Sequence, residues 1–201
     1  MKWAFLLTLF LTSCGYYFDG GDKITVSVPY AIGDDEGELT GALANAIART
    51  AHFEYVQRGG EWIVNVKVKG TDHDRIGYRY DRDDKSGKLR DNVIGIENRE
   101  TISVEVCVES ARTGKCILGP QIVKARVDYD YADPNSLRDL SFINDTGKRV
   151  TSIAFSLGQL DSVGAAGQEA RIPIYEKLAR KIVDGMIASG GADGSDCCDC
   201  P

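Results

Sequence analysis

The sequence predicts an α+β two-layer sandwich: a mostly antiparallel sheet of four or more strands with two helices packed on one face. Several segments alternate apolar and polar residues with the period of a half-buried strand, and two others repeat apolar residues every three or four positions. Their order along the chain is strand, helix, a series of strands broken by turn residues, then helix, with no internal repeat.

The first strand is read from DKITVSVPY (22–30), where Ile24, Val26 and Val28 alternate with polar partners until Pro29, which cannot donate to a ladder. Next, GDDEGELTGALANAIARTAHF places acidic residues ahead of Leu39, Ala42, Leu43, Ala46 and Ile47. That spacing predicts a helix, and carboxylates suit its positive N-terminal end. Within 53–84 a short strand comes first, then a Gly59-Gly60 turn and a long strand whose Trp62, Val64, Val66 and Val68 share one face. Gly70 marks a bulge or bend before Ile76, Tyr78 and Tyr80 resume the pattern. DRDDKSGKLRDN is a polar hairpin tip.

The cleanest alternation lies in NRETISVEVCVES (98–110), with Ile102, Val104, Val106 and Val108 inward and Ser103, Glu105, Cys107 and Glu109 outward. ARTGK then turns the chain, Gly114 taking the positive φ, into a strand over 116–129 carrying Val123, Ala125, Val127 and Tyr129. Residues 130–170 are polar and mixed, with Leu157 and Leu160 in a short helix or packed loop. The last helix is expected over 172–190, where Ile174, Leu178, Ile182 and Met186 form a ladder of i, i+4 steps. The tail GGADGSDCCDCP has no core-forming residues, so residues 190–201 are expected to be disordered.

The N-terminus has its own logic. Lys2 precedes an apolar run from Trp3 to Leu11, interrupted only by Thr8. Crossing a bilayer core takes about 20 helical residues, so this run reads as a secretory signal rather than a membrane span. Leu11-Thr12-Ser13-Cys14 places a branched apolar residue three positions before a cysteine and a small residue just before it. This resembles the lipobox of bacterial lipoproteins. It predicts cleavage between Ser13 and Cys14 and lipidation of Cys14, whose acyl chains would anchor the chain permanently. Residues 1–13 are then signal peptide, 14–22 a lipidated linker and 23–189 the domain. Gly15 follows the cysteine, where retention in the inner membrane often goes with Asp, so the outer membrane is the expected destination.

Composition narrows the partners. The full chain carries a formal charge of −6, and loss of Lys2 makes it more negative, which argues against nucleic acid as a partner. Besides Cys14 the chain holds Cys107, Cys116, Cys197, Cys198 and Cys200, an odd set for an oxidising compartment. Cys107 and Cys116 flank one hairpin turn and are a candidate cross-strand disulfide, subject to register. The tail thiols could bind a soft metal, form disulfides or do neither. At 81–87 the glycine is seventh and Lys85 fifth, so a solvated tip accounts for that loop better than a calcium site. His52 and His73 are isolated. No nucleophile–base pattern and no phosphate-binding glycine loop is visible, so the sequence predicts neither enzyme chemistry, metal nor cofactor.

Taken together, LTSCGYYFDG, a strand ending VSVPY, a helix, a long strand with Tyr78 and Tyr80, the VEVCVESARTGKC hairpin and the helix LARKIVDGMIAS resemble the LPS-assembly lipoprotein family, LptE, over roughly residues 6–189. The resemblance implies a lipoprotein of the outer membrane that plugs the lumen of the LPS-assembly β-barrel protein LptD, with lipopolysaccharide as a possible direct ligand and the membrane held through the acyl chains. It also implies that Tyr16, Tyr17 and Phe18 lead from the membrane into the domain, at the lipid interface or against the partner; a plain linker or core role is the other reading. The net acidic charge, the mixed tip with Arg82, Lys85, Lys88 and Arg90, and the cysteine-rich tail depart from the family pattern. The alternative is an auxiliary or binding lipoprotein of a lipid transporter or of the cell envelope.

Overall fold

The computed structural model describes residues 23–83, 86, 88–131, 141–151 and 163–189. Its elements are β1 (Ile24–Ser27), α1 (Glu38–Ala48), β2 (Phe53–Tyr55), β3 (Trp62–Arg82), β4 (Leu89–Ser110), β5 (Cys116–Asp130), β6 (Ser141–Ile143), β7 (Arg149–Thr151) and α2 (Val163–Ser189). Five strands form one sheet in the order β2-β1-β3-β4-β5, and β6 and β7 pair separately.

The architecture is the expected α+β arrangement, with a mixed sheet. β1 is parallel to both β2 and β3, while the long β3–β4 and β4–β5 pairings are antiparallel. The Gly59-Gly60 turn does not close a hairpin, because it carries the chain from β2 across to the other side of β1. Gly59 takes φ 73, and Gly60 passes so close to β1 that a Cβ there would lie 2.5 Å from the Ser27 nitrogen. Glu61 N–H donates to Thr25 Oγ1 at 3.0 Å, closing the same seam.

β1 ends before Pro29, as its missing N–H requires, and one parallel bridge, Ile32 to Lys67, resumes the pairing. Asp34 then starts α1 from a distance. Gly37 occupies the N-cap with φ 75 and no side chain to offer, so Asp34 accepts from Leu39 N–H at 3.3 Å, Thr40 N–H at 2.9 Å and Thr40 Oγ1 at 2.8 Å. Those bonds satisfy orphan donors of the first turn and account for a nearly buried carboxylate.

The core lies between the sheet and the helices. Val64, Val104 and Val108 from the sheet and Leu39, Leu43, Ile174 and Leu178 from the helices are fully excluded from solvent. The β4 alternation holds, with Ile102, Val104, Val106 and Val108 all buried. The register slips between Val68 and Gly70, where the bulge was expected, and Gly114 has φ 64 in the β4–β5 turn.

Two expectations change. Residues 141–151 form the β6–β7 hairpin around Gly147, φ 73, within a stretch read as mixed; Leu157 and Leu160 lie outside the described residues. The last helix begins at Val163 and runs through Pro173. Gly164, Gly167 and Pro173 are poor helix residues, yet Ala166 and Ala170 continue the buried ladder of Ile174, Leu178, Ile182 and Met186. Burial of that stripe overrides local propensity.

β5 is an edge of the sheet and runs for 15 residues. Two lysines of α2 cover part of it: Lys181 Nζ donates to the Lys124 carbonyl at 2.7 Å and Lys177 Nζ to the Arg126 carbonyl at 3.3 Å. Unpaired edge carbonyls invite strand addition, and a lysine on the edge blocks it. The Lys177→Ala/Lys181→Ala double variant is therefore expected to self-associate at concentrations where the parent chain does not, a change read by sedimentation velocity.

Candidate functional site

Two features stand out among the described residues. The first is a groove of about 540 Å³ between α1 and α2. Its walls mix small and apolar residues, Gly41, Ala42, Ala46, Val183 and the exposed Ile172 and Ile187, with the charged Glu38, Glu176, Asp184, Arg49 and Arg180. A groove of this size and mixed lining can take a small amphiphile or a peptide segment. Ala42 and Ala46 line this groove, and a Cβ on Gly41 would meet open space.

The second is Glu100, a fully buried carboxylate on β4. The β4 alternation carries it inward, two residues before Ile102 on the same face, opposite His73 on β3 and Val127 on β5. Among the described residues its ion pair is with Arg171 of α2, 3.5 Å from Nε to Oε1, and the Arg171 side chain is 43% exposed. Neither Glu100 oxygen has a hydrogen-bond partner. Desolvating such a charge costs roughly several kcal/mol, and a long pair to a half-exposed guanidinium returns only part of it.

Gly167 makes the approach of α2 possible. A Cβ there would lie 3.2 Å from the Tyr129 hydroxyl and 3.9 Å from Glu100 Oε2. Tyr175, on the next stretch of α2, has its ionisation pushed above the usual tyrosine range, first by burial and then by the carboxylates of Asp34, Glu38 and Glu100, against the pull of Arg171. A polar cluster thus sits beneath the first half of α2, where the ladder of the second half is wholly apolar. The sequence holds the signal for Glu100, since the inward alternation of β4 reaches back to position 100, but nothing local sets this carboxylate apart from the many others.

The opposite face of the sheet is polar. Arg99 and Asp128 form a two-point pair at 2.7 and 2.8 Å, and Lys69 meets Glu105 at 3.0 Å. The Arg99 hydrogen bond holds the exposed Asp128 carboxyl below its ordinary range. Beyond the helices, the β3–β4 hairpin presents Tyr78 and Tyr80, 56% and 62% exposed, and its tip is closed by Asp83, whose Oδ1 accepts from Ser86 N–H at 2.9 Å and Ser86 Oγ at 3.0 Å.

Of the residues singled out in the sequence, Ser13, Cys14, Tyr16, Tyr17, Phe18, Lys85, Cys197, Cys198 and Cys200 lie outside the described residues. Cys107 and Cys116 come near one another but are not bonded to each other: their sulfurs are 4.0 Å apart across the β4–β5 turn, about twice the length of a disulfide bond. The register slips twice there, aligning Cys116 with Glu109, while Cys107 pairs with Asn65 of β3. Cys107 is also buried, although it was expected outward. His52 and His73 are both exposed, His52 just before β2 and His73 within β3. Among the described residues no group of three or more histidine, cysteine or carboxylate side chains could hold a metal ion, and no helix is long and apolar enough to cross a membrane.

No protein-family model matches the chain, and no curated protein matches it. Solved structures of similar shape include a candidate lipoprotein from Caulobacter crescentus, at 17% identity over 83% of this chain and 92% of that one, with a TM-score of 0.47. A minor lipoprotein from Acinetobacter baumannii aligns at 10% identity over 83% and 94%, with a TM-score of 0.41. Rare lipoprotein B from Shewanella oneidensis aligns at 14% identity over 83% and 92%, with a TM-score of 0.40. The structures to which the chain is similar thus include bacterial proteins described as lipoproteins.

Proposed function

We propose that the protein is a lipid-anchored lipoprotein of the bacterial outer membrane that works as plug and assembly partner of the β-barrel LptD in placing lipopolysaccharide in the outer leaflet. The observation that carries this reading is the leader itself: a lysine, a short apolar run and Leu11-Thr12-Ser13-Cys14, followed at once by an α+β domain whose motifs keep the order of the LptE family. In this reading Cys14 carries the acyl chains and the domain faces the periplasm. Its chemistry is packing and hydrogen bonding alone. The polar sheet face with its ion pairs is compatible with a wet barrel interior, which supports the plug role.

The test is a mild-detergent pull-down of the tagged chain from membranes, with co-purifying proteins identified by mass spectrometry. A near-stoichiometric large outer-membrane barrel is expected. A lipoprotein that travels alone or with inner-membrane transporter subunits would overturn the plug role. The anchor is checked separately: Cys14→Ser is expected to move essentially all of the protein from the membrane to the soluble fraction, since no acyl chain remains to hold it.

The groove between α1 and α2 favours a second reading, an auxiliary or binding lipoprotein of a lipid transporter or of the envelope. That reading expects a monomer that retains an amphiphile through purification. The same preparation, extracted and examined by lipid mass spectrometry, separates the two.

A further inference from the structure

The long helix α2 is built in two parts that are held to the sheet very differently. From Ile174 onward its buried stripe is Ile174, Leu178, Ile182 and Met186, all large and all excluded from solvent. Before Pro173 the stripe shrinks to Ala166 and Ala170, the smallest apolar side chains that can mark a buried face.

The backbone is weak at the same place. Pro173 has no N–H for the carbonyl four residues earlier and its ring crowds that carbonyl, so the hydrogen-bonded ladder is interrupted between the two parts. Gly164 and Gly167 further lower helix propensity in the first part. Ten residues with two glycines are too few to hold a helix on their own, so their order depends on docking to the sheet.

What they dock onto is unfavourable to cover. The first part lies over Glu100, which is fully excluded from solvent while both its oxygens go without a hydrogen bond. Arg171, 43% exposed, meets it at 3.5 Å from one side only. Opening the segment would rehydrate this carboxylate, whereas opening the second part would expose four large apolar side chains.

We infer that residues 163–172 form a hinged cover, pivoting at Pro173, that opens and closes over Glu100 while the rest of α2 stays docked. Arg171 acts as the latch and Gly167 sets how closely the cover can seat on Tyr129. The open form bares Glu100, Tyr129 and the inner face of β4 at the end of the sheet from which the β3–β4 hairpin projects.

Hydrogen exchange of the full chain, read by mass spectrometry at peptide resolution, tests this directly. Amides of 164–172 are expected to exchange at least tenfold faster than those of 176–186. Glu100→Leu, which removes the buried charge, is expected to slow exchange in 164–172 at least fivefold and leave 176–186 unchanged. Arg171→Ala is expected to speed it by a similar factor. Equal protection on both sides of Pro173 would overturn the hinge. Unchanged or faster exchange of 164–172 in Glu100→Leu, including through loss of protection everywhere, would overturn the role of Glu100, because the carboxylate would then be holding the segment closed or playing no part.

Discussion

Leu178→Ala is expected to destabilise the domain by about 3 kcal/mol, within the range for emptying a fully buried leucine site. Leu178 is fully buried in the middle of the apolar ladder of α2, where it packs in the cluster shared with β4 and α1. Its neighbours along the ladder are large and anchored, so the cavity left behind has little means of collapsing. Urea unfolding followed by circular dichroism reads the change as a lower midpoint with an unchanged slope. Ile172→Ala provides the contrast: it lies on the same helix but is 48% exposed and lines the groove, so a loss well below that of Leu178→Ala is expected.

Gly60→Ala is expected to cost about 2 to 3 kcal/mol through crowding rather than through a cavity. An added Cβ would lie 2.5 Å from the Ser27 nitrogen, 2.8 Å from the Val26 carbonyl carbon and 3.1 Å from the Thr25 carbonyl oxygen. Those are backbone atoms of β1, a strand hydrogen-bonded on both sides, so they cannot move aside as a flexible side chain would. The substitution should push β1 and β3 apart and loosen the pairing of Val26 with Trp62. Exchange of the amides around 24–27 and 62–64 checks this, and protection of the β4–β5 pairing should persist. By contrast, a Cβ on Gly41 or Gly164 meets nothing, and Gly41→Ala is expected to be neutral or mildly stabilising as an exposed helix substitution.

These two positions show how differently the chain discloses its parts. The ladder of Leu178 is a periodic pattern within one helix, and periodicity is visible in any sequence. The demand at Gly60 comes from residues more than thirty positions away, so the sequence shows only a Gly-Gly pair, which a turn explains equally well. The same distinction runs through the rest of the fold. The alternation of β4 identified a strand with four valine or isoleucine side chains inward, and the acids before Leu39 marked a helix start. Pairing partners were not legible, because a three-residue strand such as β2 is satisfied equally by a hairpin with β3 or by a parallel seat beside β1.

α2 makes the point from the other direction. Residues 163–171 fell outside the expected helix, with two glycines among them and Pro173 close behind, yet the fold extends the buried stripe through Ala166 and Ala170. Glu100 was likewise set by its neighbours. Position alone put its side chain inward, but only the packing of α2 over β4 shut out the water and set Arg171 against it as its ion-pair partner among the described residues.

By itself, then, the sequence determined the class of fold, the strand and helix faces that repeat at short range, the turns at Gly59 and Gly114, the irregularity at Gly70, and the lipobox-like Leu11-Thr12-Ser13-Cys14 on which the proposed anchoring rests. Each depends on the spacing of residues within about one element's length. The tertiary structure decided the parallel seating of β1 between β2 and β3, the full extent of α2, the groove between the helices and the isolation of Glu100. Those depend on contacts between segments far apart in the chain, where packing energy outweighs the local preferences that a sequence pattern records.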